Sequence, residues 1–214
     1  MNISTALKTL LGTAALTLPL VASAASTFTS GTGALSASTT VNFQVFIPKT
    51  LYLRVGNGST YPGSLTTTGT ADLITFSPAV GSVGNSISVP GVGGDLNNGV
   101  ETAAVLSNGG NVTLVATTVA AGLSDGAPTP TFIPFTQITT TAAALTAGYT
   151  LLNPPILNAA GGSTSILLTA NASKIVQADA KWTFAYANTA VYPGGTYGGA
   201  GVNNGTVTYT ATMP

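Results

Sequence analysis

From Thr39 onward the chain alternates apolar and polar residues with a period of two, the pattern of half-buried β-strands. In "TTVNFQVFIPKTLYLRVG", Val41, Phe43, Val45 and Ile47 share one face, with Asn42 and Gln44 on the other. Pro48 lacks a ladder donor, so the run breaks there or lies at a sheet edge. Leu51, Leu53 and Val55 resume the alternation until Gly56-Asn57-Gly58. Further strands are predicted over "ADLITF" (71–76), "NSISV" (85–89), "FTQITTT" (135–141), "STSILLTA" (163–170) and "AKWTFAYA" (180–187). "VETAAVLS" and "NVTLVATTV" flank Asn108-Gly109-Gly110, which predicts a hairpin because these residues accept the positive φ of tight turns. In 180–187 the aromatics Trp182, Phe184 and Tyr186 point inward. In "GTVTYTATMP" Val207, Tyr209, Ala211 and Met213 alternate with threonines.

Helix is nearly absent from the pattern. "TTTAAALTAGYTLL" is the one candidate for a turn or two, and its threonines and Gly148 weaken it. Short strands punctuated by Gly, Pro and Asn, about eight to ten of them, predict an all-β antiparallel sandwich. A closed barrel is the rival. A membrane barrel would require strands of about ten residues with aromatic girdles, which the scattered Tyr and Phe do not supply.

The first 24 residues read as a signal peptide: Lys8, the apolar stretch 9–20, and Ala22-Ser23-Ala24 as the cleavage pattern. Residues 25–38, "ASTFTSGTGALSAS", read as a flexible N-terminal extension, and 39–214 as one sandwich domain. The expected address is export through the periplasm to the cell surface. No later stretch reaches the roughly 18 apolar residues of a spanning helix, so membrane insertion is not expected. Cysteine is absent, which excludes the small disulfide-stapled scaffolds.

Charge changes the picture most. Asp, Glu, Lys and Arg make up only 5% of the chain, against about 25% in ordinary globular proteins. Beyond residue 24, Lys49, Arg54, Lys174 and Lys181 face Asp72, Asp95, Glu101, Asp125 and Asp179, a net charge of −1. No basic patch exists for nucleic acid. A surface of Thr, Ser, Asn, Gly and Ala gives copies little electrostatic reason to stay apart.

Candidate chemistry is sparse. With no His and no Cys, Ser-His-Asp and Cys-His catalysis and the usual zinc sites are excluded. The five acidic residues give no sign of a glycosidase pair, and no cofactor is expected. Asp95, Asn97 and Glu101 in "GGDLNNGVE" put oxygen ligands at short spacing and form a Ca²⁺ candidate, with a solvated turn as the plainer reading. Tyr192 and Tyr197 in "VYPGGTYGGAG" are the candidates for stacking on a carbohydrate ligand.

The signal peptide, the Thr/Gly/Ala/Asn-rich composition, the opening "TTVNFQVFIP" and the final "YPGGTYGGAGVNNGTVTYTATMP" together resemble bacterial pilus subunits of the chaperone–usher class, in a disulfide-free branch. The resemblance implies a non-catalytic fimbrial subunit with an immunoglobulin-like sandwich that lacks a strand beside its C-terminal one. Its implied partners are copies of itself or related subunits, a periplasmic chaperone and an outer-membrane usher. Carried onto this chain, the open edge is Val207, Tyr209, Ala211 and Met213. The donor lies between Ala25 and Ile47, by β-strand addition. Residues 25–38 offer only Phe28, Ala34 and Leu35 as apolar candidates, so two alternatives stand. The donor uses Val41, Phe43, Val45 and Ile47, or the sandwich is self-contained and binds a surface ligand.

Overall fold

A computed structural model describes residues 26–57, 69–119, 121–159 and 161–214; the expected signal peptide lies outside them. The chain divides into two units, one ending at Ile47 and one spanning Pro48–Pro214. The alternating run 41–47 therefore belongs with the N-terminal unit rather than with the sandwich.

Residues 26–47 form no strand ladder. The segment folds back on itself, with Thr27 Oγ1 donating to Ser38 O at 2.7 Å and Thr29 Oγ1 to Ser36 O at 3.2 Å. Among the described residues the alternation of 41–47 has no partner strand, and side chains on both faces are exposed. Phe43 is 89% exposed and Val45 82%.

Within the second unit the strands are β1 (Leu51–Val55), β2 (Ile74–Thr75), β3 (Val89–Pro90), β4 (Val92–Gly93), β5 (Val100–Ser107), β6 (Val112–Thr118) and β7 (Leu123–Ser124). After them come β8 (Phe132–Ile133), β9 (Ile138–Ala143), β10 (Thr150–Leu151), β11 (Gly162–Leu168), β12 (Val176–Tyr186) and β13 (Val207–Thr212). The unit is an all-β sandwich of antiparallel sheets; among the described residues only the two-residue β10–β12 pairing is parallel. The large sheet runs β1-β5-β12, and β12 also pairs with β9, β10 and β3 along its length. The small sheet has the order β11-β6-β13.

Two local expectations are corrected. Strands β5 and β6 are not a hairpin: β5 pairs with β1 and β12, and β6 with β11 and β13. Asn108-Gly109-Gly110 instead carries the chain from one sheet to the other. Asn108 fixes that crossing, its Oδ1 accepting from Thr50 N at 2.7 Å and its Nδ2 donating to Pro48 O at 2.9 Å. Turn chemistry specifies a reversal, but burial decides where the two arms go. Strand β5 is buried on both faces through residues 101–105 and needs partners in the centre of a sheet. The stretch 139–152 contains no helix; Ile138–Ala143 is strand β9, where β-branched residues pair along β12.

The core lies between the sheets. Ala103 and Val105 of β5, Val112 and Leu114 of β6, and Ala178, Ala180 and Trp182 of β12 are fully or almost fully buried. Trp182 Nε1 donates to Leu152 O at 2.6 Å, which satisfies its one polar group inside the core. The outward face of the small sheet is mostly hydroxyl: Thr208, Thr210 and Thr212 stand beside Thr117, Val115 and Thr113 in register. Thr117 Oγ1 and Ser163 Oγ share a hydrogen bond of 2.8 Å.

Candidate strand-acceptor groove

Strand β13 keeps the alternation its sequence predicts, with Val207, Tyr209 and Ala211 half-buried and the threonines exposed. Its inner edge pairs with β6 from Val207↔Thr118 to Thr212↔Thr113. Among the described residues no strand pairs with its outer edge. In an antiparallel pair alternate residues turn their backbone N–H and C=O away from the partner, so that edge presents a row of ladder groups with no strand to meet them.

The two ends of β13 differ. At the C-terminal end Met213 Sδ accepts from Ser107 Oγ at 2.8 Å, and Lys49 Nζ donates to Pro214 O at 3.0 Å. These contacts draw that end onto the start of β1. Toward Val207 the sheets part around a groove of about 730 Å³. One wall is Val207 and Tyr209; the other is Val55 with residues 71–78. Phe135, Leu157, Phe184 and Tyr186, each less than a tenth exposed, line it as well. Sequence reading missed Phe135 and Leu157. Phe135 sits in a 3-10 turn, Phe135–Gln137, inside a run that reads as strand, and Leu157 lies in an irregular stretch with no periodic signal.

A cluster of charges borders the groove. Arg54 Nη2 pairs with Asp95 Oδ2 at 3.0 Å, both side chains under a tenth exposed. Asp95 Oδ1 accepts from Thr102 N at 2.7 Å, and Asp95 N donates to Glu101 Oε2 at 3.2 Å. The structure thus brings two of the Ca²⁺ candidates together, but both carboxylate oxygens of Asp95 are spent on Arg54 and Thr102. Asn97 is exposed in a left-handed turn (φ 63°). The cluster's evident role is structural, holding the β4–β5 loop against β5.

Glu101 points into the sandwich and is 4% exposed. Burial first, then the neighbouring Asp72 and Asp95 carboxylates, push its pKa up to about 8, although the Asp95 N–H opposes them. Glu101 also shares a hydrogen bond with Asp72, and Asn57 N donates to Asp72 Oδ2. Gly56 makes room for the pair: at φ +69° it has no Cβ, and one placed there would collide with Glu101 Oε2 and Asp72 Oδ2. Burial, followed by the charge of Glu101, raises the Tyr209 phenol well above its usual range.

Comparison with known families, curated proteins and solved structures returned no match.

Tyr192 and Tyr197 stand together at the groove, their rings 6.3 Å apart and inclined at 61°. Tyr197 Oη donates to Pro193 O at 2.9 Å. Both side chains are half-buried, so part of each remains open to solvent. Val41, Phe43, Val45 and Ile47 are all exposed and belong to the N-terminal unit. Val207 and Tyr209 line the groove, Ala211 packs on the core, and Met213 joins the contact with Ser107.

Proposed function

We propose that the chain is a non-catalytic structural subunit of an extracellular fimbria-like fibre, in which residues 41–47 of one copy add a strand beside β13 of the next. One observation carries this reading: an unpaired sheet edge flanks an apolar groove in a chain that also holds an exposed, unpaired, alternating apolar segment. Strand addition would pair the ladder groups of β13 and turn Val41, Phe43, Val45 and Ile47 into the groove. Burying each such side chain contributes about 1.5–3 kcal/mol. The sandwich would then be immunoglobulin-like once the added strand is counted. A long, exposed apolar edge invites aggregation, so a periplasmic chaperone that fills the groove in transit fits the same physics, as does an usher at the outer membrane.

The test is assembly of residues 25–214 expressed without partners. Polymers that disappear on deletion of residues 25–47 are expected. A sharply melting monomer that never associates would overturn the strand-exchange reading.

A further inference from the structure

The wall that receives the strand contains the Asp72–Glu101 carboxyl pair. A strand seated there covers Asp72, which is exposed in the free chain, beside the already buried Glu101, and two adjacent carboxylates without hydration strongly disfavour double ionisation unless a cation offsets them. The proposed occupant brings none, because residues 26–47 contain no Lys, Arg, Asp or Glu.

Arg54 is a cation close to the pair, but Asp95 engages it at 3.0 Å and offsets its charge. Four ionisable groups approach Glu101 from the elements around it. Asp72 comes from the stretch before β2, Asp95 from the β4–β5 loop, Tyr209 from β13, and Arg54 from β1 through its ion pair with Asp95. On β12 the residue opposite Glu101 is Trp182; the neighbouring Lys181 is exposed. With Arg54 offset by Asp95, a proton on Glu101 lowers the charge of the pair.

We propose that occupation of the groove is coupled to that proton: the strand seats when Glu101, beside Asp72, holds it, and the junction loosens as Glu101 ionises. This rests on the strand-acceptor reading and adds its regulation. Junctions would form at neutral and acid pH and open in mildly alkaline solution, where Glu101 loses its proton.

The test uses the full chain with Phe43→Asn and Val45→Asn, so that its own segment does not compete. The probe is a fluorescent peptide with the sequence of residues 39–48. Affinity should be flat from about pH 6 to about 7.5 and then fall about tenfold per pH unit for one coupled proton. Glu101→Gln should abolish the fall. Asp72→Asn should move its onset to lower pH, since it removes the negative neighbour that helps keep the proton on Glu101. Measurable binding that stays constant to about pH 10, or an unchanged fall in Glu101→Gln, would overturn the coupling and leave the groove reading standing. Absence of binding at every pH would overturn the groove reading itself.

Discussion

The rings of Trp182 and Tyr209 lie 5.3 Å apart at 51°, one from the centre of the large sheet and the other from the edge strand of the small one. This contact joins the layers beside the groove. It also fixes a side chain that lines the groove. Tilted aromatic pairs contribute about 0.5–1.5 kcal/mol beyond their buried area. Tyr209→Leu keeps the apolar bulk and loses the pair, so urea unfolding should show a loss of about 1 kcal/mol. A double-mutant cycle with Trp182→Leu should return a coupling of that size.

Asn188 is fully buried at φ 54°, and its amide holds the loop at residues 82–87. Oδ1 accepts from Gly84 N at 2.8 Å, and Nδ2 donates to Ser82 O at 2.7 Å. Asn188→Ala leaves both backbone groups without this partner, at about 1–3 kcal/mol each, and puts a non-Asn side chain in a left-handed conformation. Hydrogen exchange should show loss of protection at Gly84 together with a fall in global stability of at least about 2 kcal/mol.

Acidity should act on folding as well as on strand binding. Glu101 titrates at about 8 in the fold against an ordinary value of 4.5. The folded state therefore holds this proton more tightly than the unfolded chain. That contribution to stability is complete below about pH 4.5 and is lost as pH rises through 8. The urea midpoint should be lower at about pH 9 than at about pH 5, and Glu101→Gln should remove most of the difference. A midpoint that rises across this window would contradict the burial of Glu101.

Gly56 tests the carboxyl pair sterically. A left-handed backbone costs a residue with a Cβ about 1–2 kcal/mol, and here the new methyl would also strike Glu101 and Asp72. Gly56→Ala should therefore destabilise by more than about 2 kcal/mol. It should also separate the two acids, bringing the pH dependence of folding closer to that of an ordinary carboxylate.

How much of the fold was legible in the sequence depends on the range of the forces involved. Strands β6, β12 and β13 were legible because each has one face on the core, and period-two alternation records that directly. The run 41–47 carries the same pattern and is unpaired, since alternation reports a face that can be buried and not the partner that buries it. Two-residue strands such as β2 and β10 are too short to have a period. The turn at 108–110 was recognisable, but its consequence depended on the burial of β5, which is set by distant elements. Asp72 and Glu101 meet across 29 positions with no motif between them, and so do Arg54 and Asp95 across 41. The groove escaped notice for the same reason, being assembled from several separated stretches of chain.

The hydroxyl-faced side of the small sheet has a consequence of its own. Thr113, Thr117, Ser163, Thr208, Thr210 and Thr212 hold their water by neutral dipoles. Neither alkali nor added salt alters such groups, so conditions that unfasten subunits would leave this exterior hydrated as before. On the proposed assembly, solubility and disassembly would be governed by separate parts of the molecule.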